Sequence, residues 1–236
     1  EIMEDIYNRG KIPILVGGTG FYIQAVLNDI AFTKEKQGDE IRADLQNLAK
    51  EKGAFYLHHE LQKVDKESAE AIHPNNIKRV IRALEYFQST GQKFSEHNKE
   101  ERQKSSPYNF LYLVLTMNRE VLYERIDKRV DQMMEEGLVK EVKQLLDVGY
   151  SRNLVSMQGL GYKEIASALF KECTMEEAVY RLKRDTRHFA KRQMTWFRRE
   201  RDVTMINKDN FLNNHEIVIY IMKLAVEKGI CSCREG

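Results

Sequence analysis

Short runs of apolar residues at two places in the chain predict buried β-strands. The first run covers residues 12–16 and ends on the sequence Gly-Gly-Thr-Gly, and the second covers residues 109–117. Both are short and rich in β-branched or large apolar side chains, which is typical of buried strands. Residues 203–207 are a weaker third candidate. Because a helical pattern in residues 1–10 leads directly into the first run, we expect the strands to belong to a parallel sheet.

A long stretch between the two runs shows only helical periodicity. Residues 34–107 place apolar side chains three or four positions apart and contain no strand signal apart from aromatic residues. Asp65 is the expected N-cap of a short helix, and the clearest helix of the chain ends at Gly91. We therefore predict an α/β core, residues 1–33 and 108–236, that is interrupted by an all-helical insertion domain, residues 34–107.

Composition sets few limits on function. Charged residues make up 31% of the 236 residues, but the net charge is only +2, so any attraction to nucleic acid must come from local clusters. No apolar run is long enough to span a membrane and no signal peptide is recognisable, so we expect a cytoplasmic protein that does not bind membranes. Cys231 and Cys233 form a C-x-C pair without nearby partners, which is a weak metal signal.

The Gly-Gly-Thr-Gly sequence at residues 17–20 has two interpretations. Glycines after a strand let backbone N–H groups approach an anion, and a following helix would add partial positive charge at its N-terminus. However, Phe21 and Tyr22 stand where a Walker A loop has Lys and Ser or Thr, and the spacing does not match GxGxxG. By itself this segment is equally consistent with a ligand-binding loop and with a tight turn.

One predicted helix, residues 181–199, separates basic from apolar side chains. At 100° per residue, one side carries a cationic stripe, and Leu182, Phe189 and Trp196 lie on the opposite side. The cationic stripe consists of Arg184, Arg187, Lys191 and Arg198. Because these like charges repel each other, the pattern favours contact with phosphate or RNA over a solvated helix surface. Gln193 lies among the apolar residues, so its amide should hydrogen-bond the backbone or a ligand.

Two further segments carry weaker signals. They are Lys78, Arg79 and Arg82 on one face of a helix, and Gln158, Tyr162 and Lys163 in a loop that contains two glycines. Gln and Tyr side chains in such a loop can hydrogen-bond or stack on a base. A solvated helix surface is the better explanation of the first segment, because three basic residues on one helix face are common. A simple connection between helices explains the second segment equally well.

Four segments taken together resemble one family. They are PILVGGTGFYI, HPNNIKRVIRALEYFQSTGQKFS, MQGLGYKE and DTRHFAKRQMTWFRR, and in this order they extend over nearly the whole chain. The arrangement is similar to that of tRNA dimethylallyltransferases, also called tRNA isopentenyltransferases. The resemblance implies a P-loop-NTPase-like parallel sheet with a helical insertion that grips the tRNA anticodon stem-loop. It also implies transfer of a dimethylallyl group from dimethylallyl diphosphate to N6 of adenosine 37, a base that is flipped out of its stack for the reaction.

The resemblance also implies roles for individual residues. Thr19 matches the threonine near the diphosphate and the reacting base, and Arg187 matches the arginine that stabilises the departing diphosphate, so both are candidate catalytic residues. The candidate diphosphate-binding residues are Arg187, Arg184 and Lys191. The candidate tRNA-binding residues are Thr19, Arg42, Lys78, Arg79, Arg82, Gln158, Gly159, Gly161, Tyr162, Lys163, Lys191, Arg192, Gln193 and Arg198. Trp196 is assigned to packing because it lies on the apolar side of its helix.

The sequence departs from the family pattern at one point. The family begins with a GxxxxGK[ST] loop and has a nearby Asp that acts as general base, whereas no GK[ST] occurs in this chain. We therefore expect residues 1–236 to be a truncated form that is inactive alone, with the Mg²⁺ ligands in the missing N-terminal segment. A monomer is expected. The alternative is a non-catalytic RNA-binding fragment, and a third possibility, a relative of nucleotide kinases, lacks support in the sequence.

Overall fold

The computed structural model describes residues 1–30 and 38–232. Within these ranges the chain forms mainly helices, with two short strands. The helices are α1 (Ile2–Asn8), α2 (Gly20–Leu27), α3 (Gly38–Lys52), α4 (Ala54–Val64), α5 (Lys66–Ala71), α6 (Ile77–Thr90), α7 (Phe94–Gln103), α8 (Arg119–Glu135), α9 (Leu138–Asp147), α10 (Tyr162–Leu169), α11 (Met175–Phe197) and α12 (Asn214–Glu227). The strands are β1 (Tyr112–Thr116) and β2 (Val203–Asn207).

The two strands form a parallel pair. Tyr112 lies opposite Val203 and Thr116 lies opposite Asn207. Helices α8 to α11 connect the strands, as a parallel connection requires, because the chain must return to the same end of the sheet. The strands predicted within residues 109–117 and at 203–207, and their parallel arrangement, are confirmed.

The prediction of a buried strand at residues 12–16 is wrong for this structure. The segment pairs with neither strand of the described chain, and Ile14 and Val16 are 81% and 92% exposed. A strand exists only when a neighbour accepts and donates its backbone hydrogen bonds. An apolar run in the sequence reports the tendency to be buried, but it cannot report whether such a neighbour is present.

The chain divides into two compact units. One consists of Glu1–Gly20 together with the described residues from Asn109 onward, and the other consists of Phe21–Tyr108. The second unit contains only helices among its described residues. The prediction that residues 34–107 are an insertion domain that grips tRNA stays a prediction. Within the described residues, no helix is both long enough and apolar enough to span a bilayer.

The core of the first unit lies between α8, α9, α10 and α11. Its buried side chains are Val130, Leu138, Val142, Met157, Ile165, Ala166, Ala178 and Leu182. Thr174 is the N-cap of α11, and its side chain accepts a hydrogen bond from the backbone N–H of Glu177. Leu182 is buried as its position on the apolar side of α11 predicts, whereas Phe189 on the same side remains 41% exposed. Phe197 at the end of α11 is buried as well, so the apolar side is covered near Leu182 and near Phe197, and Phe189 between them is partly exposed.

The core of the second unit lies between α3, α4, α5 and α6. Its buried side chains are Leu45, Leu57, Leu61, Ala69, Ile72, Val80, Ile81, Ala83 and Leu84. Val80 and Leu84 are one turn apart on α6, so the helical periodicity of the sequence correctly identifies the inner face of this helix. Gly91 ends α6 in the left-handed conformation that glycine tolerates best.

A buried carboxylate joins two helices of the second unit. Asp65 is 1% exposed and caps α5, as predicted, by accepting a hydrogen bond from the backbone N–H of Ser68. It also accepts hydrogen bonds from the backbone N–H and the hydroxyl of Ser95, at 2.9 Å and 2.7 Å. Because Ser95 lies in the first turn of α7, this one side chain ties the starts of α5 and α7 together.

Candidate functional site

The glycine segment, residues 17–20, packs against the second half of α11. The Gln193 Nε2 atom donates a hydrogen bond of 2.7 Å to the Gly18 carbonyl oxygen. A Cβ atom on Gly18 would lie 2.3 Å from that nitrogen, so a larger residue would have to displace the end of the Gln193 side chain. The prediction that the Gln193 amide hydrogen-bonds the backbone or a ligand is confirmed, with the backbone as its partner.

The same segment also contacts the only tryptophan of the chain. A Cβ atom on Gly20 would lie 2.2 Å from both Cδ1 and Nε1 of the Trp196 indole ring. The assignment of Trp196 to packing agrees with this contact, although 39% of the residue is exposed. Close packing on α11 therefore explains why glycines occupy positions 18 and 20, and Thr19 between them is exposed.

Replacement of Gly20 by alanine tests this packing. The new methyl group must displace the indole ring, so we expect a loss of about 1–3 kcal/mol in stability, the usual cost of overpacking. Because Trp196 is the only tryptophan, its fluorescence reports the change directly, and we expect its emission to shift to longer wavelength. Gly17→Ala is the matched control, since nothing lies within 4 Å of its added Cβ. Equal spectra for the two variants would contradict the described packing.

Arg187 is held by α8. Its Nη1 atom donates to both carboxylate oxygens of Asp127, at 2.5 Å and 2.8 Å. Its guanidinium carbon also lies 6.0 Å from the centre of the Tyr123 ring. The Arg187 side chain is 24% exposed, so its head group is partly removed from water. The sequence pattern of α11 alone did not reveal Asp127, because that partner comes from another helix 60 positions away.

The other members of the cationic stripe differ from Arg187. Arg184 pairs with its neighbour Asp185 at 2.8 Å, and this hydrogen bond lowers the pKa of the Asp185 carboxyl group. Lys191 and Arg198 are exposed. Arg187 is therefore the member of the stripe that the fold holds between two helices.

Thr19 and Arg187 share no hydrogen bond within the described residues. The glycine segment contacts α11 at Gln193 and Trp196, which follow Arg187 by six and nine positions. At 1.5 Å per residue, these contacts begin about 9 Å further along the helix axis than Arg187. Arg187 lies on α11, and Thr19 lies in the segment that packs against the same helix. Their joint action at a single site stays a prediction.

The residues 156–163 contribute to a cavity of about 530 Å³. Its lining includes three predicted site residues, Gln158, Lys163 and Arg184. The Gln158 amide donates to the backbone carbonyl of Arg152 at 2.6 Å, and Arg152 also lines the cavity. Sequence analysis missed Arg152 because it is an isolated basic residue in a loop, without any periodic pattern around it.

Arg152 and Tyr162 each form a hydrogen bond or ion pair with an acidic side chain. Arg152 forms a bidentate ion pair with Glu172. The hydrogen bonds from Arg152 and Ser167 lower the pKa of the Glu172 carboxyl group to about 2. The Tyr162 hydroxyl donates a hydrogen bond to Glu141, which raises the pKa of Tyr162. Gly161 has a φ of +99°, a conformation that favours glycine, at the start of α10.

Two of the predicted site residues of the second unit, Arg42 and Arg82, pair with a buried acid. Glu85 is 1% exposed and accepts hydrogen bonds from Arg42 at 2.8 Å and 3.2 Å. Arg82 lies 3.3 Å from the same carboxylate. Lys78 and Arg79 are exposed on α6. Arg42 and Arg82 thus have a structural role in compensating Glu85, which sequence analysis missed because an acidic residue on the inner face of a helix gives no periodic signal.

The described residues contain no group of three or more His, Cys, Asp or Glu side chains placed to hold a metal ion. Cys231 is a free cysteine, and Cys233 lies outside the described residues. Because Mg²⁺ is often held by only one or two carboxylates together with substrate phosphates, the predicted Mg²⁺ ion and the place of its ligands stay a prediction.

Comparison with known proteins places these features in a family. Residues 1–200 match the IPP transferase family. The tRNA dimethylallyltransferase of Lachnoclostridium phytofermentans is 56% identical over 230 residues, which cover 98% of this chain and 74% of the relative. The tRNA dimethylallyltransferase of Acetivibrio thermocellus is 49% identical over 216 residues, which cover 92% of this chain and 69% of the relative.

Solved structures show the same relationship. The tRNA isopentenylpyrophosphate transferase of Bacillus halodurans is 41% identical, with a TM-score of 0.65, and the match covers 96% of this chain and 70% of that protein. A eukaryotic dimethylallyltransferase acting on tRNA is 30% identical, with a TM-score of 0.75, and the match covers 96% and 60% of the two chains. The predicted fold class, a P-loop-NTPase-like α/β core with a helical part, is confirmed. This chain belongs to the IPP transferase family, the prenyltransferases that modify tRNA.

Proposed function

We propose that the protein transfers a dimethylallyl group from dimethylallyl diphosphate to N6 of adenosine 37, next to the anticodon of tRNA. Family membership supports a prenyl transfer to tRNA. The observation that carries the proposal is the state of Arg187, whose side chain is 24% exposed and whose guanidinium group, within the described residues, is anchored to Asp127 through Nη1. The remaining donors of such a group suit the oxygen atoms of a diphosphate.

The chemistry needs a cation where charge develops. The bond between C1 of the dimethylallyl group and the diphosphate oxygen breaks, and its electron pair stays on the diphosphate. The N6 atom forms the new bond to C1 and passes its proton to a general base, the role of the Asp that the family has near its P-loop. Because negative charge grows on the departing diphosphate, a pre-positioned Arg187 lowers the barrier. Arg184 and Lys191, on the same helix, are assigned to the same anion, and Thr19 to the neighbourhood of the reacting base.

The RNA is proposed to contact both units. The exposed Lys78 and Arg79 on α6 offer charges to the phosphates of the anticodon stem-loop. The other proposed tRNA contacts are Thr19, Arg42, Arg82, Gln158, Gly159, Gly161, Tyr162, Lys163, Lys191, Arg192, Gln193 and Arg198. Arg42 and Arg82 would contribute only part of their charge, because both are paired with Glu85. The protein is proposed to act as a cytoplasmic monomer.

Residues 1–236 tested alone should bind RNA but not transfer the prenyl group. The reason is that no GK[ST] sequence occurs in the chain, and this sequence forms the phosphate cradle in the family that the chain resembles. The test incubates these residues with radiolabelled dimethylallyl diphosphate, Mg²⁺ and an anticodon stem-loop. Binding is followed in parallel by fluorescence anisotropy at several salt concentrations. Turnover above background would contradict the proposed inactivity.

A fusion distinguishes the transferase from a non-catalytic RNA-binding fragment. The P-loop segment of a family member is joined ahead of Glu1, and transfer is measured with the same stem-loop. Restored transfer supports the proposed enzyme, whereas unchanged RNA binding without transfer favours the binding fragment. Lys78→Ala serves as a binding control in both forms, because loss of one phosphate contact should reduce the slope of log K against log salt by about one.

A further inference from the structure

Two residues of α8, Tyr123 and Asp127, contact the Arg187 guanidinium group and together form what is called its seat here. Tyr123 and Asp127 are four positions apart, so they lie on the same face of the helix. Asp127 accepts both short contacts from Nη1, and the Tyr123 ring lies 6.0 Å from the guanidinium carbon. The side of Tyr123 is also approached by Arg119, whose guanidinium carbon lies 5.1 Å from the ring centre. Arg187 is therefore held by an acceptor and by an aromatic ring at once.

The seat uses only part of the hydrogen-bonding capacity of Arg187. A guanidinium group has five N–H donors in a planar fork, and Nη1 carries two of them. In the described part of the chain, Nε and Nη2 have no hydrogen-bond partner. The contact with Asp127 therefore fixes the plane of the group while leaving one edge able to donate to an anion.

We propose that Asp127 and Tyr123 are positioning residues that orient the free edge of Arg187 toward the diphosphate. This inference rests on the proposed function, because it takes the diphosphate to be the anion that Arg187 meets. An unrestrained arginine loses side-chain freedom when it binds a ligand, and that loss weakens binding. In the seated arginine, this freedom has already been lost on folding.

Charge and orientation predict opposite effects of removing Asp127. The carboxylate is negative, so by charge alone Asp127→Asn should strengthen the binding of an anion at Arg187. If the carboxylate positions Arg187, the same variant should weaken it, because the asparagine side chain replaces two charged acceptor oxygens with one neutral one. The direction of the change in affinity therefore decides between the two effects.

The experiment uses residues 1–236 and inorganic pyrophosphate. In ¹⁵N-labelled protein, the Nε–H and Nη–H signals of Arg187 are followed by NMR during a pyrophosphate titration. We expect slow rotation of the guanidinium group in the wild type and averaged Nη signals in Asp127→Asn. We expect the pyrophosphate dissociation constant to rise about three- to tenfold, in line with one additional side chain that must be immobilised.

The same pair of helices provides a matched control. Lys183 on α11 pairs with Asp131 on α8 at 2.6 Å, one helical turn away from the Arg187–Asp127 contact. Asp131→Asn removes the same charge from the same helix and weakens the same helix contact. It should leave the Arg187 signals and the pyrophosphate affinity unchanged.

The results for the wild type and the two variants test both the positioning role of Asp127 and the diphosphate contact of Arg187. Tighter binding by Asp127→Asn, or unchanged Arg187 signals, would overturn the positioning role. Equal losses in Asp127→Asn and Asp131→Asn would reduce Asp127 to a structural link, which also overturns it. If pyrophosphate perturbs Arg187 neither in residues 1–236 nor in the fusion that carries the P-loop segment, the proposed diphosphate contact of this residue fails. In that case the guanidinium rotation in the two variants still tests whether Asp127 orients the group.

Discussion

Arg187→Ala is expected to lower the rate of dimethylallyl transfer by about 10²- to 10³-fold in the fusion that carries a P-loop segment. This is the usual effect of removing one donor that stabilises charge in a transition state. The affinity for the anticodon stem-loop should change by no more than about threefold, because one phosphate contact at most is lost. Single-turnover assays measure the first quantity, and fluorescence anisotropy measures the second.

Two further variants make the Arg187 test specific. Arg187→Lys keeps the charge but lacks the planar fork, so its transfer rate should lie between those of the wild type and Arg187→Ala. Arg199→Ala removes the same charge just beyond α11, at an exposed residue to which we assign no role, and should retain the wild-type rate. If Arg187→Ala lowered stem-loop affinity and transfer to the same extent, Arg187 would be an RNA-binding residue and not a catalytic one.

Asp65→Ala is expected to destabilise the second unit by about 3 kcal/mol. The variant removes the N-cap of α5 and leaves the two Ser95 donors without their acceptor in a buried position, and each of these losses costs about 1 kcal/mol or more. Amide hydrogen exchange in α5 and α7 measures the effect locally, because it reports the free energy of opening residue by residue.

A surface ion pair between the same two helices is the control for Asp65. Glu67 on α5 and Lys99 on α7 lie 2.7 Å apart, with about half of each side chain exposed. Glu67→Ala should cost about 0.5 kcal/mol or less, because exposed ion pairs contribute little. If Glu67→Ala accelerated exchange in α5 and α7 as much as Asp65→Ala does, the buried hydrogen bonds of Asp65 would contribute no more stability than the exposed ion pair.

The pH dependence of stability follows from the same carboxylate. Burial raises the pKa of Asp65, but the hydrogen bonds from Ser68 and Ser95 outweigh it and hold the pKa below its ordinary value of 3.8. A depressed folded-state pKa means that the stabilisation is complete above the pKa of the unfolded chain. It is lost as the pH falls below about 3.8 and through the folded-state pKa. In Asp65→Ala this part of the acid dependence should disappear.

The sequence identified the elements whose signals are local. The 3.6-residue periodicity of α6 and α11, the cap at Asp65 and the end at Gly91 all depend on residues a few positions apart. Those predictions are confirmed for this reason. The order of four motifs along the chain also sufficed to recognise the family, because the order and spacing of motifs need no coordinates.

The site was predicted less completely, because its contacts join distant parts of the chain. The cationic stripe was visible on one helix, but Asp127 and Glu85, which hold Arg187 and Arg42, were not. Arg187 and Asp127 are 60 positions apart, and Arg42 and Glu85 are 43 positions apart. Nothing in a local pattern indicates which acid will face which arginine.

The apolar run at residues 12–16 is a further case in which a local pattern could not predict a contact with a distant part of the chain. Its sequence shows an apolar segment followed by glycines, but only the tertiary structure decided that no described strand pairs with it. The sequence by itself determined the helices, the two paired strands, the cationic stripe and the family. The tertiary structure decided which glycines must stay small against α11 and which arginines are oriented by buried or partly buried acids. The physical reason is that periodicity and capping act within one turn of chain, whereas packing and ion pairing depend on which surfaces meet.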